Sequence, residues 1–504
     1  MSDSRRSRLH SFLLIGGICG GPFIIGMDML SIGVALAPMA ADLDASLSTL
    51  QWFMSGYGIG VATFLISAGK LADLFGTRVT NCLGMFLFAA ASVLMALAPN
   101  SSVAIGARLL QGVAGAFMIS SSIAIGGQHF EGAARTRMFS LIMALAGLGM
   151  GVGPLIGGVL IHWFDWRAVF WANLPVTFLF FVNNLLVLPR KERVSRARFD
   201  SVGLILLSAT VLLLVVPVSQ AGEWGWLAPR TFGLLGGFCI FSVILILWER
   251  RVKDPLLDFS VLTVRGYVPA SLCAFLAYFI GLGWLFLFSL YLHHVRGLNA
   301  LETGLSFLPY AVAYFSGGLL SSHLGRFLGW RAFLFLGLCL LAVGVGSLSL
   351  IDRQTPFWWL EVGFALVGLG YIFANNAAMS LAQGKMPAEK SGAASGISMM
   401  IRWLGSALGI AVMTLVLHGT SRAALAEEVA QSDLHLPLPT LLSALTEDGS
   451  WHQRLDSLSK TEEAQSLDLL TSAFTHGVDR GLLVLVGCGG LGLILVGFVP
   501  RADS

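Results

Sequence analysis

The sequence predicts an all-α integral membrane protein with fourteen transmembrane helices. Three observations carry this. The 504 residues are 56% hydrophobic and only 12% charged, whereas soluble domains carry about 25% charge. A water-soluble fold of this size could not hide so much apolar surface, so its solvent is lipid. Apolar runs of spanning length, about 20 residues, recur fourteen times along the chain. The 59 glycines agree, because glycine is more frequent in membrane helices than in soluble ones.

In chain order the runs lie near 11–39, 49–69, 80–98, 103–125, 138–161, 168–188, 201–219, 231–248, 267–292, 302–322, 332–351, 357–384, 392–418 and 477–499. The first follows Arg5, Arg6 and Arg8. It is longer than a signal peptide's apolar core and lacks a small-residue cleavage site, so it reads as the first span. With the N-terminus inside, the inner segments hold 21 Lys and Arg, the outer segments 8, and the spans two, Arg108 and Arg402. Cytoplasmic loops are the basic ones, so both termini are predicted to face the cytoplasm, in a multi-pass protein of the cytoplasmic (inner) membrane. Two stretches break the rhythm. Pro189–Asp200 is a basic inner linker. Gly419–His476 is a polar outer loop with three basic against nine acidic residues, and its helix-forming stretches predict a helical hairpin.

Several function classes are excluded by what the chain lacks. A net charge of +3 and no basic cluster with interleaved aromatics argue against nucleic acid. The six cysteines fall in or beside apolar runs with no CxxC spacing, which excludes a disulfide framework or zinc site. No HExxH, GxSxG or P-loop occurs, so neither an enzyme of those classes nor direct ATP coupling is expected. No cofactor or metal is called for.

The chain repeats itself. Asp73-Leu-Phe-Gly76-Thr-Arg78 follows span 2, and Arg326-Phe-Leu-Gly329-Trp-Arg331 follows span 10. Gly112 precedes Gly149 and Gly153 by 37 and 41 residues, and Gly368 precedes Gly405 and Gly409 by the same separations. The expected organisation is a six-helix half at 1–188, a linker with two inserted helices at 189–266, and a second six-helix half at 267–504 that includes the 419–476 loop. Repeated halves of this kind place a substrate site between them near mid-membrane.

At this point the motifs resemble a known family. Gly69-Lys-Leu-Ala-Asp73-Leu-Phe-Gly76-Thr-Arg78 is similar to the loop signature of the major facilitator superfamily, and Arg108-Leu-Leu-Gln111-Gly112-Val-Ala-Gly115 to its fourth-helix motif. Gly149, Gly153, Pro154, Gly157 and Gly158 resemble the fifth-helix motif of antiporters. Asp28 through Pro38 resembles the first-helix motif of the fourteen-span drug:proton antiporters of the EmrB/QacA type. Further matches are Trp166-Arg167, Asn173-Leu-Pro175, Phe199-Asp200-xx-Gly203, Tyr291 to Pro309 and Gly392-xx-Ser395-Gly396. The resemblance implies a major facilitator fold of two six-helix halves plus two inserted helices. It also implies a proton-coupled exporter, with multidrug efflux and antibiotic resistance as the expected role. Its partners would be a small-molecule substrate, protons, the lipid bilayer and, in a Gram-negative envelope, a periplasmic adaptor. The alternatives are a dedicated exporter or proton-coupled importer of one metabolite, siderophore or lipid, and a non-transporting membrane sensor.

The candidate residues follow from the cost of polarity in lipid. Asp28 lies midway along an apolar helix, where a carboxylate must be neutral, paired or wet. A proton carrier is the functional reading, and a static carboxylate the plain one. Arg108 falls at a similar depth on an opposing helix and is its natural partner. Gly149, Gly153 and Gly157 share one helical face and permit close approach, either as a seal between halves or as packing alone. By resemblance, Gly69, Asp73, Gly76 and Arg78 belong to a conformational latch. Phe23, Trp52, Tyr57, Gln111, Asn375, Asn376 and Glu361 are the candidates for the substrate cavity. With few buried acids, at most one cationic charge on the substrate is expected to be recognised, in a largely apolar pocket.

Overall fold

The computed structural model of the chain describes residues 2–130, 132–188, 199–351, 355–384, 386–387, 390–431, 441–442 and 460–500. The first six helices are α1 Ser2–Leu43, α2 Leu47–Phe75, α3 Thr77–Ala96, α4 Ser101–His129, α5 Gly132–Trp163 and α6 Arg167–Val187. The inserted pair is α7 Ser201–Trp224 and α8 Pro229–Glu249, followed by a 3-10 turn, Phe259–Thr263. Then come α9 Tyr267–His294, α10 Ala300–Ser306, α11 Leu308–Leu328, α12 Trp330–Leu348, α13 Phe357–Gly384, α14 Ser391–Gln431 and α15 Lys460–Val496. Fourteen helices have spanning length and no strand occurs among the described residues. Thirteen are also apolar enough to cross a bilayer by composition; α11, with Ser316, Ser321, Ser322 and His323 on it, is the more polar one.

The two halves repeat their packing. In the first, α1 lies along α5, α2 along α4 and α3 along α6; in the second, α9 lies along α14, α11 along α13 and α12 along α15. The repeated glycines are the reason. A side chain at Gly112 would strike the Tyr57 carbonyl, and one at Gly368 the Tyr310 carbonyl. Gly149 and Gly153 stand against the carbonyls of Phe23 and Met27, and Gly405 and Gly409 against those of Phe275 and Phe279. Each glycine therefore lets one helix lie backbone-to-backbone on its neighbour, the close approach that drives association where lipid supplies no hydrophobic force.

The turn motif is explained in the same way. Gly76 (φ 92°) joins α2 to α3, and Gly329 (φ 80°) joins α11 to α12, conformations that a side chain disfavours. The arginine two residues on then caps the last helix of its own half. Arg78 donates to the Leu185 carbonyl at 2.5 Å. Arg331 donates to the carbonyls of Val496 and Gly497 at 3.2 and 3.0 Å. Orphan carbonyls and the negative end of a helix both favour a cation there.

Two boundaries differ from the sequence reading. The span expected at 302–322 is α11 at 308–328. Asn299 and Glu302 close a capping box over the short α10, and Pro309 begins a new helix at its first turn, where a missing N–H costs nothing. The loop expected at 419–476 is also shorter than that, because α14 and α15 run on into it. They have 41 and 37 residues, about 60 and 55 Å of helix, against a hydrocarbon core of about 30 Å. Their projecting ends pair, with Ser472 donating to the Glu428 carboxylate at 2.8 Å. The middle of that loop, and residues 189–198 of the basic linker, lie outside the described residues.

Candidate functional site

Asp28 on α1 is 1% exposed and Arg108 on α4 is 1% exposed. They meet as the sequence predicts, with Arg108 Nη1 donating to Asp28 Oδ2 at 2.5 Å. A lone buried carboxylate would cost several kcal/mol (about 2–4 or more in the membrane), and the surroundings show how this one is held. Asn173 Nδ2 donates to Asp28 Oδ1 at 2.9 Å, and Gln111 Nε2 lies at 3.5 Å from the same oxygen and 2.9 Å from Ser92 Oγ. Arg108 is fixed independently. Its Nε donates to the Phe53 carbonyl at 2.7 Å, and Nη1 also donates to Gln111 Oε1 at 2.8 Å. Its guanidinium lies over the Tyr57 ring, 5.0 Å from the centroid. Five helices thus converge on one carboxylate.

Among the described residues the second half has no counterpart to this network. At the 256-residue offset that relates the glycines, Arg108 and Gln111 become Phe364 and Val367. Phe364 there packs edge-on against Trp284 and Phe288 at 5.0 and 5.1 Å. One half carries a buried ion pair and the other an aromatic plug.

Between the halves lies a cavity of about 10 Å³, lined by Met29, Ile32, Met54, Tyr57, Gly58 and Arg108 from the first half and Leu282, Trp403, Ser406 and Ile410 from the second. That is far below the roughly 300 Å³ a drug-sized ligand needs, so the halves are closed on each other here. Tyr57 and Trp403 form the wall between them, ring centroids 5.6 Å apart. Behind Trp403 the second half holds a cluster of tyrosines. Tyr278 packs on Trp403 at 5.8 Å and Tyr371 at 5.4 Å, and Tyr314 packs on Tyr371 at 5.8 Å.

Not every candidate falls where the sequence reading put it. Of the cavity residues, Tyr57 lines it and Gln111 joins the Asp28 network, while buried Asn375 lies on the tyrosine side. Glu361 is exposed on α13 and is not a cavity residue; it sits one turn from the helix start, where a carboxylate reaches water. Trp52 packs instead with the cluster around Leu207 and Val211 of α7, and Phe23 against Phe180 of α6. Asn376 is only partly buried. The latch residues disperse too. Gly69 faces open space, Asp73 is exposed, Gly76 is the turn and Arg78 the cap. Lys70 within the same motif reaches farther, donating to the Asp254 carbonyl at 2.7 Å and to the Pro255 carbonyl, so this end of α2 holds the segment that follows the inserted pair.

The fifth-helix motif divides between two faces. Gly149, Gly153 and Gly157 pack on α1 within the first half, and Ser31 donates to the Gly153 carbonyl at 2.8 Å. This face is therefore no seal between halves. The opposite face is: Gly147 meets Tyr314, Gly151 meets Ala311, the Pro154 carbonyl meets Gly304, and Gly158 meets Leu301. Sequence reasoning missed Ser92, Tyr278, Tyr314, Tyr371 and Trp403. The available signal was placement, because tyrosine favours the membrane interface and these tyrosines lie deep within spans.

A sequence profile described as Major Facilitator Superfamily matches residues 18–410. The chain is 31% identical over 398 residues to the multidrug resistance protein Stp of Mycobacterium tuberculosis, covering 79% of this chain and 74% of that one. It is 29% identical over 399 residues to the tetracenomycin C resistance and export protein of Streptomyces glaucescens, at 79% and 74% coverage. It is 30% identical over 423 residues to a methylenomycin A resistance protein of Streptomyces coelicolor, at 82% and 88%. Among solved structures, a bacterial homolog of the human lysosomal transporter Spinster, inward-facing and unoccupied, matches with a TM-score of 0.68 over 97% of both chains at 14% identity, a likeness of fold. With fourteen helices of spanning length, two repeated six-helix halves and a profile match over most of its length, the chain belongs to the Major Facilitator Superfamily.

Proposed function

We propose that the chain is a proton-coupled exporter that exchanges protons for amphiphilic or lipophilic small molecules across the cytoplasmic membrane, with both termini in the cytoplasm. One observation carries this reading: Asp28, buried in the first half, has a cation and two amide donors arranged around it, and the second half has no equivalent among the described residues. Arg108 is tied to the Phe53 carbonyl of α2 and to Gln111, so any shift of α2 and α4 against α1 changes its contact with Asp28. That couples proton occupancy to conformation. Relatives named for multidrug resistance, tetracenomycin C export and methylenomycin A resistance support outward transport of drug-like cargo.

The test is transport of a lipophilic fluorescent dye, Hoechst 33342, by purified protein in proteoliposomes with an imposed pH gradient. Uphill dye movement should appear with the gradient, stop when a protonophore dissipates it, and need no ATP. Uphill movement driven by ATP alone, or a gradient-driven rate unchanged in Asp28→Asn, would overturn the proposal.

A further inference from the structure

Arg402 lies on α14, one turn before Ser406 of the cavity wall, and is 3% exposed. Unlike Arg108, it has no carboxylate beside it among the described residues. The titratable groups near enough to act on it are Tyr278, Tyr371, Tyr267 and Tyr314, all neutral phenols. Its guanidinium hydrogen-bonds the Tyr278 hydroxyl, its Nη2 points at the Met379 sulfur at 3.0 Å, and its Nε has no hydrogen-bond partner. A guanidinium buried without an anion is costly, typically several kcal/mol, and such a charge inside a membrane marks a functional site. The surplus of donors extends beyond it. Trp403 Nε1, on the wall between the halves, also lacks an acceptor. Two unsatisfied donors, one of them charged, stand beside the tyrosine rings.

We infer that Arg402 is the docking point for an anionic group, of the carboxylate or acidic phenol class, on the molecule this protein exports. The aromatic shell takes the apolar body, as Tyr278, Tyr314 and Tyr371 offer ring faces. The guanidinium fork takes the acid, which a planar oxyanion matches in two hydrogen bonds. Neither acid considered for a cationic substrate group is available to one, since Asp28 is already paired with Arg108 and Glu361 is exposed. The inference rests on the exporter reading for the word "exports", but the binding site stands or falls by itself.

The test is equilibrium binding without any gradient, so its result is independent of proton coupling. Purified protein in phosphatidylcholine nanodiscs is titrated with pyrenebutyrate and with pyrenebutanol, which share the aromatic body and differ in the acid. The wild type should prefer the carboxylate by roughly 10- to 100-fold, the factor that a charge-assisted hydrogen bond supplies. Arg402→Met should erase the preference and Arg402→Lys retain part of it. Because it removes an unpaired buried charge, Arg402→Met should also unfold at a higher temperature than the wild type, and pyrenebutyrate should raise the unfolding temperature of the wild type alone. Equal affinity for the two probes in the wild type, absence of binding included, overturns the inference. So does a preference that survives Arg402→Met. If replacing half the lipid with phosphatidylglycerol abolishes the preference, a lipid phosphate occupies the site and the substrate assignment fails. Loss of gradient-driven transport in Asp28→Asn with the preference intact, or the reverse, separates this site from the coupling proposal.

Discussion

Replacing Asp28 by Asn separates stability from coupling at the ion pair. Asparagine keeps an oxygen for Asn173 and Gln111 but removes the only charged acceptor that Arg108 has among the described residues. Arg108 retains the Phe53 carbonyl, Gln111 Oε1 and the Tyr57 ring, all neutral. Leaving one member of a buried pair without its partner costs about 3–5 kcal/mol. The two remaining hydrogen bonds to neutral acceptors, and the cation–π contact, place the expected loss near the lower end, roughly 3 kcal/mol. The second substitution reverses it. In Asp28→Asn with Arg108→Gln the charge is gone altogether, and most of the lost stability should return. Coupling should not return, because neither variant holds a proton. Thermal unfolding in detergent and proton-driven dye transport in proteoliposomes, measured on all three proteins, form the assay. A double variant as unstable as the single one would show that the uncompensated cation is not the cause. A double variant that still exchanges dye for protons would place the coupling site elsewhere.

Three further outcomes are expected. Gly158→Val should press on Leu301 and Ala300 of the opposing half, at the roughly 1–3 kcal/mol of an overpacked contact. A cysteine at Ala311 should then react faster with a membrane-impermeant maleimide, whereas Gly153→Val, which strikes α1 in the same half, should lower expression without opening the cleft. Arg78→Ala and Arg331→Ala should each lower stability by about 1 kcal/mol, the worth of a helix-end hydrogen bond and charge, as read by thermal unfolding, with transport retained. Ser450→Cys should label from outside and Ser195→Cys should not, in a cysteine-free background; the reverse pattern would invert the proposed orientation.

The fold was legible because membrane helices announce themselves. Length and apolar composition placed all fourteen long helices, and the glycine separations exposed the repeat before any contact was known. Asp28 and Arg108 were legible for a related reason: a charge inside an apolar run has few options, and depth along two antiparallel helices was enough to pair them. What composition cannot specify is which face of a helix meets which neighbour. Gly149, Gly153 and Gly157 were recognisable as a packing stripe, yet α1 and α11 were equally available to receive it. Glu361 was legible as lying about a turn into its span, with an interfacial carboxylate as the plain reading beside the cavity one, and its exposure on α13 agrees with the plain reading. The latch motif blended a turn, a helix cap and a tether into one string, and the string does not say that Arg78 and Lys70 reach different partners.

The asymmetry of the halves bears on how transport would be organised. A repeat inherited twice gives each half the same backbone contacts, as the matched glycines show, but the side chains set in that frame have diverged. The first half places its cation, Arg108, against an acid that can neutralise it. The second places its cation, Arg402, among phenols that cannot. In the proposed exchange the proton and the cargo do not compete for one carboxylate. They occupy charges of opposite need on opposite sides of the Tyr57–Trp403 wall, and the coupling between them must pass through that wall. Tyr57 is the residue placed to carry it, since its ring holds the Arg108 guanidinium on one side and packs on Trp403 on the other. Tyr57→Phe removes only the unsatisfied hydroxyl and should leave both bindings and their coupling nearly intact. Tyr57→Ala removes the ring that links them. It should leave pyrenebutyrate affinity within a few fold while reducing the dye carried per proton, measured as the ratio of dye to proton flux in proteoliposomes. An unchanged ratio in Tyr57→Ala would mean that the halves communicate by rigid-body rocking alone, with no part played by this contact.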